Sequence, residues 1–129
     1  MSGENNSCPF CINDDKKILE TKNAFVISDK YPITKHHSLI IPRRHVESFF
    51  NLTPEEYADC MVLIKTSQKT LCKLDGTISG FNIGVNDGED AGQTIPHCHI
   101  HLIPRRKGDV SNPRGGIRNL IEVKGDWQK

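Results

Sequence analysis

His97-Cys98-His99-Ile100-His101-Leu102-Ile103 is the stretch of sequence on which both the fold and the chemistry of this chain depend. Alternation of polar and apolar residues over this length predicts a half-buried β-strand. Because successive side chains of a strand point to opposite faces, the three histidines share one face and their apolar neighbours share the other. Imidazoles that share a strand face lie roughly 6.5–7 Å apart, which lets them hold different groups of one phosphate-sized ligand, or lets one bind a metal while the next reacts. A half-exposed polar strand face is the alternative, and three histidines in five positions with apolar neighbours disfavour it.

The length and composition of the chain limit its class. It has 129 residues and a mass of 14.5 kDa, which is the size of one domain. Lys and Arg number 17 against 16 Asp and Glu, so no strong net charge favours nucleic acid or an anionic membrane as a partner. The N-terminal residues lack the apolar segment of a secretory signal, and no apolar run approaches the roughly 20 residues of a membrane span. We therefore expect a single domain over residues 1–129, located in the cytoplasm.

Short apolar segments predict the strands of the fold. The four segments are residues 24–27, 38–41, 81–85 and 98–103. Pro42 and Pro104 predict the ends of the second and fourth strands, because proline lacks the backbone N–H of a sheet ladder. Hairpin-like strands combined with a helix, without β-α-β alternation, indicate an α+β fold.

Residues 53–74 form the clearest helix in the sequence. Thr53 suits the N-cap, Pro54 suits the first helical position, and Glu56 completes a capping box with Thr53. Apolar residues then recur at helical spacing and predict the face that packs on the sheet. They are Tyr57, Cys60, Met61, Ile64 and Leu71.

The cysteines are better explained by metal binding and packing than by disulfides. Five cysteines, an odd number, in a chain without an export signal argue against a disulfide framework. Cys8 and Cys11 have the C-x2-C spacing of a zinc knuckle, although a redox pair or a chance pair gives the same pattern. The other three cysteines, at positions 60, 72 and 98, fall on the predicted helix and on the apolar strand face, where packing explains them.

The alternating histidines, with segments 25–29, 37–45 and 82–93 in the same order, resemble the histidine triad (HIT) superfamily of nucleotide hydrolases and transferases. The resemblance covers roughly residues 8–106, and the tail is similar to that of compact bacterial members. It implies a HIT-like fold, an antiparallel sheet with one main helix packed on it, and a homodimer that joins the sheets of two chains. We expect residues 1–7 to form a loose tail and residues 107–129 to lie near the dimer interface. The few apolar residues of that C-terminal tail are Ile117, Leu120, Ile121, Val123 and Trp127.

The resemblance assigns roles to three histidines. The middle histidine of the family is the nucleophile, which implies that His99 attacks the α-phosphorus and forms a covalent nucleotidyl-histidine that water hydrolyses. His101 is implied to contact the α-phosphate and the scissile oxygen, where it stabilises charge or passes a proton to the leaving group. A histidine here, in place of the glutamine of the uridylyltransferase branch, favours a hydrolase. His37 matches a further family histidine near the nucleophile, although a surface histidine before a strand also fits its position.

The resemblance also implies a nucleoside site. Asp29 matches the aspartate that accepts hydrogen bonds from the ribose hydroxyls, although it could instead cap the turn before Tyr31 and Pro32. The loop before the triad resembles the family's phosphate loop, with contacting positions at Asn86, Gly92, Gln93 and Thr94. An apolar base pocket is expected from Phe10 and Ile27, with Ile12 and Phe25 as further candidates.

One branch of the superfamily binds zinc through two cysteines and two histidines, which implies that Cys8, Cys11, His45 and His97 hold one ion. Four protein ligands leave no position for a reactive water, so this zinc would be structural. It would join the N-terminal segment to the sheet beside the active site.

Together these residues imply a nucleotide hydrolase that cleaves a phosphoanhydride or phosphoramidate bond at the α-phosphate of a purine nucleotide or dinucleotide. Diadenosine tetraphosphate and adenosine 5′-phosphoramidate represent the two substrate classes. The alternative is a nucleotide-binding regulatory module with weak or incidental hydrolysis. A nucleic-acid adaptor is disfavoured, because the short basic run at residues 105–107 is its only support and aromatic residues are few.

Overall fold

A five-stranded antiparallel sheet forms the centre of the structure, a computed structural model that describes residues 7–12 and 16–121. The strands are β1 (Leu19–Glu20), β2 (Ala24–Ser28), β3 (Ser38–Pro42), β4 (Ile78–Gly84) and β5 (Ile100–Arg106), and the helix α1 (Pro54–Leu74) connects β3 to β4. Their order across the sheet is β1-β2-β3-β5-β4, so β5 lies inside the sheet. The predicted α+β class, a sheet with one main helix packed on it, is confirmed.

The beginning of α1 agrees with the capping signals of the sequence. Thr53 Oγ1 accepts from the backbone N–H of Glu56, and Glu56 Oε1 accepts from the backbone N–H of Thr53. Glu56 also forms a bidentate ion pair with Arg44, whose Nε lies 3.0 Å from Oε2 and whose Nη2 lies 2.8 Å from Oε1. This pair fixes the start of the helix to the segment that follows β3.

The buried face of α1 differs in part from the predicted one. Cys60, Leu63 and Leu71 pack in the core between helix and sheet. Met61, which the periodicity placed on this face, is 67% exposed, so that part of the prediction is wrong. Successive residues of a helix are rotated by about 100° around its axis, so Met61 points away from the side on which Cys60 is buried. Leu63, almost one full turn after Cys60, lies on the buried side again.

Alternate residues of the central strands divide between two cores, one on each face of the sheet. Under α1 lie Ala24, Val26, Ile40, Ile100 and Leu102. On the opposite face lie Phe25, Ile27, Leu39 and Ile41, packed with Cys8 and Phe10 of the N-terminal segment. Because β2 and β3 are covered on both faces, they are continuous apolar runs in the sequence. The second core also fixes the N-terminal segment on the face to which His101 belongs, since His101 pairs with Leu39.

β5 begins and ends later than the sequence predicted. Its ladder covers Ile100–Arg106, so His97 and His99 precede it, and Pro104, expected to close the strand, lies within it. The pairing with β3 stops at Leu102, which leaves only β4 beside Pro104. A proline is tolerated there because no strand on the open side requires its N–H.

β4 also begins earlier than predicted, at Ile78. A register shift between Ile78 and Gly80 interrupts the alternation that would have revealed the first part of the strand. β4 forms one edge of the sheet.

The predicted tails are only partly described. Residues 1–6 of the N-terminal tail, and Val123 and Trp127 of the C-terminal tail, lie outside the described residues. Ile117, Leu120 and Ile121 are exposed. Within residues 7–12 and 16–121, no helix combines the length and the apolar character that a membrane span requires.

Candidate active site and metal centre

A cavity of about 450 Å³ opens on the histidine face of the sheet. The residues from the sequence-based set that line it are Phe10, Ile27, Asp29, Asn86, Gly92, Thr94, His99 and His101. Lys30 and Tyr31 also line the cavity and were not anticipated as site residues. Their position directly after Asp29 is the signal that could have identified them.

The ring of His99 is oriented by the backbone two residues earlier. Its Nδ1 lies 2.9 Å from the carbonyl oxygen of His97. A carbonyl can only accept, so Nδ1 carries the proton and the neutral ring keeps a lone pair on Nε2. Phe10 packs against this ring with 5.0 Å between ring centroids, and His99 is 8% exposed. A shielded imidazole with one unprotonated nitrogen at the edge of a cavity is suited to nucleophilic attack.

Two consecutive hydrogen bonds determine where the protons of His37 and His101 lie. The backbone N–H of Ile33 donates to His37 Nδ1 over 3.2 Å, so the proton of the neutral His37 ring is on Nε2. His37 Nε2 in turn lies 2.9 Å from His101 Nδ1, which must accept that proton's hydrogen bond. The proton of a neutral His101 is therefore on Nε2, where the ring can act as a hydrogen-bond donor.

Burial keeps both rings in the neutral form. Burial lowers the pKa of His37, and the nearby Asp29 carboxylate only partly opposes this effect. Burial also lowers the pKa of His101 to about 4, helped by the neighbouring His99 and His37 rings. At neutral pH the geometry and the ionisation of the pair are consistent, because a protonated His101 could not accept at Nδ1.

The carboxylate of Asp29 faces two ways. Its Oδ1 accepts from the backbone N–H of Tyr31 at 2.9 Å, so Asp29 does cap the turn. Its Oδ2 lies 3.4 Å from His37 Nε2 and 3.9 Å from His101 Nδ1. The turn-capping interpretation therefore accounts for one oxygen, and the other lies near the rings of His37 and His101.

Gln93 is the one residue of the expected phosphate loop that does not line the cavity. Its Oε1 accepts from the N–H of Gly88, and its Nε2 donates to the carbonyls of Glu47 and Ile95. Both groups of the amide are thus engaged within the protein, and they hold the loop together.

The ring and thiol ligands expected for zinc meet beside Phe10, which lies between the two cysteines in the sequence. Cys8 Sγ and Cys11 Sγ lie 3.4 and 3.5 Å from His97 Nδ1. His45 Nδ1 lies 3.2 Å from Cys11 Sγ and 3.3 Å from His97 Nδ1. A tetrahedral zinc site with ordinary bond lengths has S–N edges of about 3.6 Å and N–N edges of about 3.4 Å, so these donors fit the ion.

The outer hydrogen bond of His97 also fits metal binding. Its Nε2 lies 2.8 Å from the carbonyl oxygen of Pro42 and donates to it. This leaves Nδ1 unprotonated and directed at the thiols, and burial lowers the pKa of His97 so that the ring stays neutral. Ligating histidines usually donate their second N–H to a carbonyl or carboxylate in this manner.

Asp29, His37 and His101 form a second cluster of potential ligands, but their protons do not suit a metal. His37 Nδ1 accepts a backbone N–H, so Nε2 keeps its proton and offers no lone pair to an ion. His97 is arranged in the opposite way. The cluster of Cys8, Cys11, His45 and His97 therefore suits a metal ion. In the cluster of Asp29, His37 and His101, hydrogen bonds instead fix which ring nitrogens carry protons.

Comparison with known proteins identifies the family. Residues 12–108 match the model of the HIT domain. The chain belongs to the HIT family. It is 42% identical over 91 residues to the asymmetrical bis(5′-nucleosyl)-tetraphosphatase of Schizosaccharomyces pombe, which covers 70% of this chain and 50% of that protein. The chain thus spans about half the length of that relative.

Two further relatives of this HIT protein match over more of their length. It is 33% identical over 116 residues to the bis(5′-adenosyl)-triphosphatase of Dictyostelium discoideum, covering 88% of this chain and 75% of that protein. A zinc-bound histidine triad family protein from Mycobacterium smegmatis superimposes with a TM-score of 0.73 at 34% identity, covering 81% of this chain and 78% of the other. The predicted HIT-like fold of a single chain is confirmed by this likeness.

The pKa of His101 predicts a pH-dependent loss of stability. The pKa is about 4 in the folded state and 6.5 as its ordinary value, so the unfolded chain binds more protons between these limits. The contribution is fully present above pH 6.5 and is lost as the pH falls through the folded pKa. We expect His101 to account for up to about 3 kcal/mol of this loss. Chemical denaturation of the wild type and His101→Gln from pH 7 to pH 4 measures it, and equal losses in both proteins would contradict it.

Proposed function

We propose that this protein is a hydrolase that cleaves a phosphoanhydride or phosphoramidate bond at the α-phosphate of a purine nucleotide or dinucleotide. The observation that carries the proposal is the hydrogen bond from His99 Nδ1 to the His97 carbonyl, which leaves the Nε2 lone pair for attack. The names of the S. pombe and D. discoideum relatives, a tetraphosphatase and a triphosphatase of dinucleosides, support this substrate class. Diadenosine tetraphosphate and adenosine 5′-phosphoramidate are the substrates to test first.

The first step transfers the nucleotide to the protein. His99 Nε2 forms a bond to the α-phosphorus while the bond from phosphorus to the leaving group breaks. A polyphosphate departs as an anion, and the Nε2–H of His101 stabilises the charge that develops on the scissile oxygen. The nitrogen of a phosphoramidate takes up one proton from solvent, so that this leaving group departs as the neutral amine. The modified ring of His99 becomes cationic, and the His97 carbonyl at its Nδ1 stabilises that charge.

The second step releases the nucleoside monophosphate. Water attacks the same phosphorus, the bond from phosphorus to His99 Nε2 breaks, and the ring returns to its neutral form. The oxygen of this water stays on the product phosphate with one proton, and the other proton passes to solvent. His37 takes no part in bond changes in this scheme, but it keeps the proton of His101 on Nε2.

We propose that the remaining cavity residues bind the nucleotide. Asp29 Oδ2 would accept from the ribose hydroxyls, since its other oxygen is engaged by Tyr31. Phe10 and Ile27 would form the apolar side of the base pocket. The phosphate would lie beside the loop residues Asn86, Gly92 and Thr94.

Replacement of the nucleophile tests the proposal. We expect His99→Ala to abolish turnover of diadenosine tetraphosphate and adenosine 5′-phosphoramidate, while binding of adenosine monophosphate largely survives because the cavity is otherwise unchanged. Turnover is measured by product chromatography and binding by calorimetry. Activity retained in His99→Ala would refute the mechanism. A wild type that turns over neither substrate, nor any nucleotide sugar, would favour a nucleotide-binding regulatory module.

We also propose a structural zinc at Cys8, Cys11, His45 and His97. When bound, the ion supplies a cross-link of fixed geometry between the N-terminal segment and the sheet. Two contacts connect this site to the nucleophile, because the His97 backbone orients the His99 ring and Phe10 packs on both rings. The M. smegmatis relative, a zinc-bound member of the family, supports this assignment.

The zinc proposal predicts about one ion per chain in the purified protein. We expect Cys8→Ser with Cys11→Ser to lose the ion, to unfold at lower temperature and to turn over more slowly, because two ligands are removed. Cys72→Ser is the matched control, since that half-buried thiol lies on α1 away from the cluster. Elemental analysis and thermal unfolding measure both effects. A metal-free wild type that is fully folded would contradict the proposal.

We further propose that the chain is a single HIT domain that forms a homodimer in the cytoplasm. The edge position of β4 and the exposed Ile117, Leu120 and Ile121 support a partner surface at this end of the sheet, since Gly116 lies close to Asn82 of β4. None of the five cysteines, all of which the structure describes, forms a disulfide, as suits a reducing compartment. A protein that sediments as a monomer at micromolar concentration would contradict the proposed homodimer.

A further inference from the structure

Arg106, the last residue of β5, reaches the turn that carries His37. Its Nη2 donates to the carbonyl of Lys35 and to Asp75 Oδ2, each at 2.9 Å. Its Nε donates to Thr77 Oγ1 at 3.2 Å. Arg106 does not line the cavity of the active site. We propose that Arg106 is a positioning residue, which holds turn 33–37 in the conformation that keeps the His101 proton on Nε2. The role of this proton in turnover rests on the proposed function.

Turn 33–37 contains a strained residue that requires support. In the described part of the chain, His36 is the sole non-glycine residue with a positive φ, at 73°. Such a left-handed conformation is unfavourable for a residue with a side chain and persists only where surrounding contacts fix it. Arg106 fixes the carbonyl of Lys35 on one side of His36, and Ser38 Oγ donates to the carbonyl of His36 on the other.

The conformation of this turn decides the proton position on His37. The His37 N–H donates to the Thr34 carbonyl, and the Ile33 N–H donates back to His37 Nδ1. If the turn relaxes, the Ile33 N–H no longer faces Nδ1, and the proton of His37 is free to occupy either nitrogen. His101 Nδ1 then loses its obligatory donor. β5 therefore contacts the turn twice, through the His101 ring and through Arg106.

Asp75 gives Arg106 a fixed anchor. Asp75 Oδ1 accepts from the N–H and the Oγ1–H of Thr77, which leaves Oδ2 for the guanidinium. These bonds to Thr77, and next the bond to Arg106, lower the pKa of the Asp75 carboxyl well below its usual range. The carboxylate thus stays ionised, and its position at the C-cap of α1 ties the arginine to the helix end.

The neighbouring Arg105 provides a matched control. Its Nε and Nη2 lie 2.8 and 2.9 Å from the Asp109 carboxylate, and its Nη1 lies 2.7 Å from Asn82 Oδ1. Both arginines therefore bond to an aspartate and to one further side chain. Of the two, only Arg106 donates to the turn. Comparing the two variants therefore distinguishes the effect of removing any arginine at this surface from the effect of removing the support for His37.

The test compares Arg106→Ala with Arg105→Ala in the full-length protein. Imidazole ¹⁵N NMR without substrate reports the proton positions of His37 and His101. In Arg106→Ala we expect altered signals for both rings and a kcat lower by about 10- to 100-fold, with a smaller change in KM. Arg105→Ala should leave the signals and kcat near wild type. Guanidinium ion, added well below denaturing concentrations, should restore both readouts to Arg106→Ala, because an open groove of about 700 Å³ lies over Arg106.

Two results would overturn the proposal. One is a folded Arg106→Ala protein with unchanged His37 and His101 signals, and the other is an equal effect from Arg105→Ala. If Arg106→Ala does not fold, Asp75→Asn replaces it, since the amide weakens the anchor but keeps its shape. Unchanged histidine signals in Asp75→Asn would then be the contradicting result. The NMR measurement needs no substrate. It therefore tests the positioning role of Arg106 even if the protein does not hydrolyse the proposed substrates.

Discussion

The hydrogen bond from His99 Nδ1 to the His97 carbonyl is the interaction on which the site depends. It fixes the tautomer of a buried ring and leaves one lone pair for chemistry. His97 makes this possible because its ring is held at both nitrogens, by the Pro42 carbonyl and by the Cys8 and Cys11 thiols. These contacts hold His97 in place, and its carbonyl is the acceptor for the proposed nucleophile His99.

The sheet has a hydrophobic core on each of its two faces. α1 covers one face, and the N-terminal segment with Cys8 and Phe10 covers the other. Because Phe10 packs on His97 and His99, the second core shields the histidines as well as burying apolar surface. His101, which lines the cavity, is hydrogen-bonded to His37, the residue that precedes the adjacent strand β3. Structural and chemical requirements are thus met by neighbouring residues of one segment.

The sequence was sufficient for features that depend on local pattern. The capping box at Thr53 and the alternation around His99 are local, so the helix start and the two faces of the segment were predictable. Met61 and Pro104 were misassigned, because exposure and strand pairing depend on neighbours that periodicity does not reveal. Two other contacts join residues that are distant in sequence. Gln93 donates to the Glu47 carbonyl, and Arg106 donates to the Lys35 carbonyl. Such contacts carry no local signal.

The stereochemistry at phosphorus tests the central claim most directly. A substrate with one sulfur in place of an α-phosphate oxygen is chiral at that phosphorus, and hydrolysis in ¹⁸O-labelled water reveals the configuration of the product. Attack by His99 followed by attack by water inverts the phosphorus twice, so we predict overall retention. Overall inversion would mean that water attacks in a single step, and the covalent role of His99 would be contradicted.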